Sequence, residues 1–515
     1  MKFKALARTG AVAVALALAL SACTSDGGDS DGGDSEGGNS SGGGTATLNL
    51  ATGTPPADFR IGAWTGGEAY LFLSVYDTVV SLSPDGEVEP NIAETFEYNA
   101  DNTELTLHIR DGMTFTDDTP VDAAAVAASL NASKEGVATS GRLASVSGVE
   151  ATDESTVVVT LSAPDAGLLA ALASIAGAVG SPEVLEDESS QLEPVGSGPY
   201  TLDQAGTVVG STYTLQRNGD NWDADSYPFS TVVFQVISDT TAVQNAMLSG
   251  QIDYSGLQAG QESLYPEDQF TIGDGAPQAV AGLWLLDRAG TIVPALADVR
   301  VRQAINLALD RETIAETLGQ GGVVPTNQVM DPRGDAYSEE LVDEQSFDLD
   351  RAKDLMAEAG YSDGFSVTMP SIQGLTTTFE SAFDQQFGEI GIDITWEPIT
   401  FQDFQARIAA RNYPMFFFFN GYAGTDSGDV QANTSAIFNA FDQTTPEFEQ
   451  LVTTANAAPL DQQDDAFRAV NEYFVDQAWF APLGYAQGKF VTAKDIVFTP
   501  PYITAQTLRP FAPAD

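Results

Sequence analysis

Residues 415–420 read MFFFFN, and four phenylalanines in succession constrain the fold more than any other segment of the chain. Neighbouring side chains of a strand point to opposite faces, and four consecutive helical residues sweep most of the circumference, so whatever element carries this run must be covered on both sides. Four residues are too few to span a bilayer, and an exposed cluster of this kind would promote aggregation. A doubly covered strand remains, and such strands belong to sheets with helices on each face. The preceding sequence agrees. A helical pattern over 378–387 leads into the alternating segment IDITWEP, and a second over 402–410 leads into the phenylalanine run. This alternation predicts parallel strands joined by crossover helices. Ligands of open α/β sheets gather beyond the carboxyl ends of strands, so Asn420, Gly421, Tyr422 and the Gly/Asp-rich turn after them are candidate binding residues.

Elsewhere the hydrophobic period switches repeatedly between strand and helix values, which reads as an α/β protein. TATLNLA, near residue 46, alternates like a strand, and ELTLHIRDG places Leu105, Leu107 and Ile109 on one face with Thr106 and His108 on the other. FDLDRAKDLMAEAGYSDG is a helix with Asp348 as N-cap and Gly360 as its left-handed terminator. A length of 515 residues exceeds what one core organises and predicts two or three lobes. The net charge of −52 would repel nucleic-acid phosphates and anionic lipid headgroups, which excludes a nucleic-acid partner. His108 is the single histidine and Cys23 the single cysteine, so no intrachain disulfide and no His- or Cys-built metal site can form; no cofactor is expected.

The amino terminus points outside the cytoplasm. Lys2, Lys4 and Arg8 precede an apolar run from Ala11 to Leu20, the layout of a signal peptide spanning 1–22. Leu20, Ser21, Ala22 and Cys23 resemble a bacterial lipobox, which implies a lipid on Cys23 and anchorage to the outer face of the cell membrane. Residues 24–44 contain no apolar side chain to order the backbone, so 23–45 should tether the folded body roughly 25 Å from its anchor.

Six blocks occur in a fixed order and spacing: YDTVVSLSPDGEVEPNIAETF, IRDGMTFTDDTPVDAAAVAASL, VGSGPYTL, DVRVRQAINLALDRETI, the helix ending in EAGYSDG, and IGIDITW. Together they resemble the extracellular solute-binding proteins of family 5, the peptide and nickel-complex receptors of ABC importers, from about Leu48 to the carboxyl terminus. The resemblance implies a two-lobed periplasmic-binding-protein-like α/β fold of type II with an inserted domain. Lobe I would comprise 46–88, 193–275 and 485–515, the insert 89–192, and lobe II 276–484. It implies a monomer that captures a small solute, a di- or oligopeptide first among them, and delivers it to a permease and ATPase complex.

Peptide-binding relatives place an aspartate three residues after an aromatic residue to pair with the peptide's amino terminus. Here the aromatic is Tyr422, three residues on is Thr425, and Asp426 follows, so the amine-binding carboxylate is shifted or absent. Asp426 and Asp429 are candidates for a cationic group. Trp64, Tyr70, Phe401, Tyr422 and Tyr485 are candidate aromatic walls. Within the helical block at 299–311, Val301, Ala304, Ile305 and Ala308 should face a core while Arg300, Arg302 and Arg311 serve solvent and ion pairs. Gly198 and Pro199 suit a turn or hinge. Metal chelates and sugars stay open as ligands and a sensory role as an alternative to transport. A secreted hydrolase with paired carboxylates is the enzymatic alternative, although no G-x-S-x-G, H-E-x-x-H or P-loop motif occurs.

Overall fold

The computed structural model describes residues 46–514, apart from 57, 66–68, 85, 186, 188–190, 258–259, 320, 343–345 and 502–505. The signal peptide, Cys23 and the tether lie outside the described residues.

The scaffold is a nine-stranded mixed sheet. From one end its strands are Met415–Gly421, Phe270–Leu285, Phe480–Ala493, Tyr254–Leu257, Thr47–Thr52, Thr231–Val236, Thr212–Arg217 and Tyr200–Leu202, with Val323–Pro325 pairing on Phe480–Ala493. Two of these strands, of 16 and 14 residues, are far longer than the usual five or six, and they pair antiparallel along almost their whole length. Their ends sit in different cores. Phe270 and Val491 pack with Met247, Ile252 and Tyr265, whereas Leu283, Leu285, Ala481 and Leu483 pack with the helices Val299–Leu307 and Leu349–Glu358. Between the two cores Tyr485 to Lys489 are only partly buried, and the register shifts at Asp274/Pro277 and Pro277/Ala279. Proline removes a ladder donor there, which locally loosens the pairing.

A separate four-stranded antiparallel sheet, in the order Ala93–Tyr98, Glu104–Ile109, Thr156–Leu161, Val146–Ala151, packs against the Ala123–Glu135 helix in its own hydrophobic cluster, reaching from Val79 to Val179. Leu105, Leu107 and Ile109 face that cluster and His108 faces solvent, as their alternation predicts. The Leu349–Glu358 helix is capped by Asp348, whose carboxylate accepts from the Arg351 amide, and Gly360 beyond its end has φ +87°.

The phenylalanine strand is covered on both faces. Phe416 and Phe418 lie against Phe404 at centroid distances of 5.1 Å, and Phe417 lies against Phe379 and Phe383 at 4.8 and 5.3 Å. Its expected parallel pairing is corrected: Met415–Gly421 runs antiparallel to Phe270–Leu285, from Met415 opposite Leu285 to Gly421 opposite Ala279. A parallel pair does form one step earlier in the chain, between Phe365–Ile372 and Ile392–Ile399. Hydrophobic period reports how many faces are covered and carries no information on the direction of the neighbouring strand.

A second correction concerns the arginines. Arg300 pairs with Asp298 as expected, but Arg302 and Arg311 are only 5% and 7% exposed and end on backbone carbonyls. Arg302 donates to Leu296 O and Gln477 O at 2.8 Å each, and Arg311 to Pro482 O at 2.7 Å. Burial pulls both guanidiniums down to about 10, still far above neutrality, so they remain charged cross-links between a helix and the end of the Phe480–Ala493 strand. Gly198 is required by close approach: a Cβ there would lie 2.6 Å from the backbone carbon of Val75.

Replacing Phe417 with alanine should destabilise the protein by about 3–5 kcal/mol in chemical denaturation, since it empties a fully buried ring site. Phe401→Ala, at a side chain 62% exposed, should cost about 1 kcal/mol or less.

Candidate functional site

A cleft of about 1080 Å³ opens between residues 139–175 on one wall and 422–456 on the other, with Trp64 and Gln506 reaching in at the margin. Its far wall is built by the Asp426–Thr434 helix. Thr425 takes extended angles (φ −154°, ψ 152°) and its hydroxyl accepts from the Gly428 amide at 3.0 Å, which starts the helix at the strand's end. Thr425, Ser427, Gln431 and Thr434 then line the cleft.

The acids of this segment turn the other way. Asp429 is 1% exposed; one carboxylate oxygen accepts from Ala423 N at 2.7 Å and the other from Asp331 N at 2.9 Å, so it ties the helix to two loops. Burial, reinforced by the neighbouring Asp331 and Asp426, pushes its carboxyl well above the usual range. Asp331 in turn pairs with Arg333 at 2.7 Å, and Arg333 donates to Pro277 O and Pro501 O, reaching the loosened stretch of the long strands. Asp426 accepts from Ala336 N at 3.0 Å, while its Oδ1 is buried without a partner among the described residues. Burial pushes this carboxyl up to about 7, with Asp335, Asp464 and Asp331 adding to the effect and the Ala336 amide opposing it.

Three of the expected residues meet at the cleft: Trp64, Tyr422 and Thr425. Trp64 leans on Phe72 at 6.3 Å, and Tyr422 is 7% exposed with its hydroxyl unpartnered among the described residues. The others stand apart from the lining. Tyr70 packs against the same core cluster as Trp64, and Tyr485 is in the long strand opposite Val280, where burial, with Tyr337 and Asp331 nearby, raises its phenol. Phe401 caps the outside of the phenylalanine stack at 6.4 Å from Phe418. Asn420 donates to Asn433 at 3.0 Å inside the protein, Gly421 is an exposed strand end, and Asp426 points inward as described.

Sequence reading missed Arg142, Asp165, Asn456 and Gln506, all on the lining. Arg142 and Asp165 are its only charged groups among the described residues. Asp165 is held by Ser145 Oγ at 2.5 Å and the Gly167 amide at 2.9 Å. No sequence pattern marks these positions, because the cleft brings together segments separated by hundreds of residues. The walls also touch directly. Asn102 Nδ2 donates to Ala457 O and Ala458 O at 3.0 Å each, and Ala166 N donates to Asn456 Oδ1 at 3.4 Å. No group of acids, histidines and cysteines capable of holding a metal occurs among the described residues.

A mixed-sheet scaffold with separate cores and a walled cleft is the architecture of a two-lobed binding protein. The chain belongs to the bacterial extracellular solute-binding proteins, family 5, whose model matches residues 87–444. It is 24% identical over 326 residues to the glutathione-binding protein GsiB of Escherichia coli (strain K12), a match that covers 62% of each protein's length. The fold is similar to that of MppA, a periplasmic murein tripeptide binding protein in its unliganded open form, with a TM-score of 0.80, 17% identity, and coverage of 91% of this chain and 97% of the other. It is also similar to that of DppA from Helicobacter pylori in complex with the peptide STSA, with a TM-score of 0.65, 20% identity, and coverage of 91% and 98%.

The inward Asp426 gives a signed pH dependence. A carboxyl raised in the folded state binds more protons folded than unfolded, so its contribution is complete below about pH 4 and is lost as pH rises to about 7. Asp426→Asn, which mimics the protonated form, should flatten the fall in melting temperature between pH 5 and about 7 relative to the parent. An identical pH profile in both proteins would contradict the inward assignment.

Proposed function

We propose that this protein is the substrate-binding component of an ABC importer. It takes a small solute, a di- or oligopeptide first among them, into the 139–175/422–456 cleft and presents it to a membrane permease and its ATPase. The single observation that carries the reading is the cleft itself: its walls belong to different hydrophobic cores and are lined mostly by hydroxyl and amide groups, with one arginine, one aspartate and aromatic rings at Trp64, Tyr422 and Phe448. Such a lining orients a polar guest by hydrogen bonds, and its one hydroxyl–carboxylate pair, Ser145 with Asp165, has no histidine or lysine beside it among the described lining residues, so the protein is read as a carrier and not an enzyme. The glutathione-, tripeptide- and peptide-binding descriptions of the similar proteins support a peptide guest.

In this reading the loosened middle of the paired long strands is the hinge. Lobe I takes 46–88, 193–275 and 485–515, the insert 89–192, and lobe II 276–484. Trp64, Tyr422 and Thr425 contact the solute; Tyr70, Phe401, Asn420, Gly421, Asp426 and Tyr485 support the scaffold. A solute that touches both walls stabilises the closed state by its differential affinity for it. The protein works outside the cytoplasm as a monomer, held to the membrane through a lipid on Cys23, with no nucleic-acid partner.

Thermal melts against peptide and sugar libraries test this. Peptides at about 100 times their dissociation constant should stabilise the fold by about 2.7 kcal/mol. No response to peptides, where a non-peptide extract of the host stabilises, would remove the peptide assignment.

A further inference from the structure

Three carboxylates stand behind the Asp426–Thr434 wall of the cleft, on the side turned away from any guest. Asp331 and Asp429 are each 1% exposed, and Asp426 Oδ1 is buried against Gly334, where a Cβ would fall 2.4 Å from it. Arg333 supplies the positive charge of this group, and its ion pair is with Asp331. Further acids crowd the same place. Asp335 in the loop and Asp464 at the start of the Gln463–Asp476 helix act on Asp426 as like charges, whereas Arg468 of that helix is engaged by Asp465 and by Asp335 O. Tyr422, 7% exposed with its hydroxyl unpartnered among the described residues, has Asp331, Asp429, Tyr337 and Tyr485 as electrostatic neighbours.

The same few bonds join this group to the cleft and to the long strands. Ala423, a lining residue, gives its amide to Asp429, and the Asp331 amide goes to the other oxygen of that carboxylate. Ser427 and Gly428, also on the lining, belong to the turn that Asp426 opens. Behind the wall Asp426 takes the Ala336 amide, while Arg333 reaches Pro277 O, in the stretch read above as the hinge, and Pro501 O. A charge added to Asp426 or Asp429 therefore loads the contacts that position the wall.

We propose that Asp331, Asp426 and Asp429, with Arg333 as their cation, form a proton-operated switch that sets how firmly this wall of the cleft is held. With protons on Asp426 and Asp429, one carboxylate faces one guanidinium and the wall is at its tightest. With both ionised, three carboxylates share that guanidinium, and their repulsion is relieved when the 331–337 loop and the 422–429 turn open to water. Burial holds both carboxyls above the usual range, Asp426 at about 7, so the contribution of the protonated form is complete below about pH 4 and is lost as pH rises to about 7. The switch stands whatever solute the cleft takes. Its consequence rests on the solute-capture reading above: the guest is held more firmly in acidic surroundings than in alkaline ones.

The test is hydrogen–deuterium exchange read by mass spectrometry on the full chain without added solute, with rates corrected for the intrinsic pH dependence of exchange. Release of one proton on opening favours the open form by up to about tenfold per pH unit. Segments 331–337 and 422–429 should therefore open roughly 10- to 100-fold more at about pH 7 than at about pH 5, while the Glu104–Ile109 strand of the separate sheet stays level. Asp426→Asn, which holds no titratable proton, should cut that rise by about tenfold. Asp426→Ala, which also loses the Ala336 bond, should open the wall more at every pH with the same flattened profile. A rise undiminished in both variants would reduce Asp426 to a structural tie and overturn the proposal. It would also fall if the two segments of the parent stayed level across this range, or changed only in step with the Glu104–Ile109 strand. Level exchange together with thermal stabilisation by peptides would remove the switch and leave solute capture standing.

Discussion

The antiparallel pairing of Phe270–Leu285 with Phe480–Ala493 is the constraint on which the rest of the molecule depends. These two strands are the backbone shared by two hydrophobic cores, and neither core could be placed relative to the other without them. Buried ion and carbonyl contacts fix their ends: Arg302 and Arg311 grip the start of the second strand through Gln477, Ala478 and Pro482. The middle is different in kind. There proline interrupts the ladder, burial is partial, and Arg333 makes its polar contacts to Pro277 and Pro501. In the proposed solute-capture reading, a rigid end beside a loosened middle would let two packed bodies change their angle while each keeps its own core, since packed cores resist continuous deformation.

The distribution of charge follows a related logic. The excess of acid is carried mostly on the surface, but the two acids of the Asp426–Thr434 helix beside the cleft are folded inward, where backbone amides hold them. Asp429 accepts two such amides and Asp426 one. Turning these carboxylates away leaves hydroxyls, amides and aromatic rings to face the cavity. That arrangement makes the wall formed by the Asp426–Thr434 helix electrically quiet within a strongly anionic protein, and among the described lining residues it leaves the charge of the cleft to Arg142 and Asp165 on the other wall.

Much of this architecture was legible in the sequence because it rests on local rules. Period-two alternation placed Leu105, Leu107 and Ile109 inward, and capping chemistry marked Asp348 and Gly360. The four phenylalanines announced a doubly covered strand, but not the direction of its partner, which lies more than a hundred residues earlier in the chain. Likewise, an arginine on a helix reads as a surface residue until tertiary structure supplies carbonyls for it, which is why the environments of Arg302 and Arg311 went unread. Of the expected residues that line the cleft, Trp64 and Tyr422 carry a local signal, an aromatic beside a Gly-rich turn or a strand end, while Thr425 was marked by its spacing from Tyr422 in the family resemblance. Arg142, Asn456 and Gln506 have no such signal; only the folded chain brings them to one wall.

Asn102 occupies the tip of a hairpin in the left-handed region, at φ +50°, and reaches across the mouth of the cleft to the carbonyls that end the Pro446–Ala457 helix. Together with the Ala166–Asn456 contact, these are three neutral hydrogen bonds, each worth about 1 kcal/mol in water. A clasp of that strength cannot hold the jaws against thermal motion for long. On the solute-capture reading, how long the mouth stays shut would then be timed by the guest, whose own contacts outweigh the clasp, and an empty cleft would reopen readily enough to sample its surroundings again.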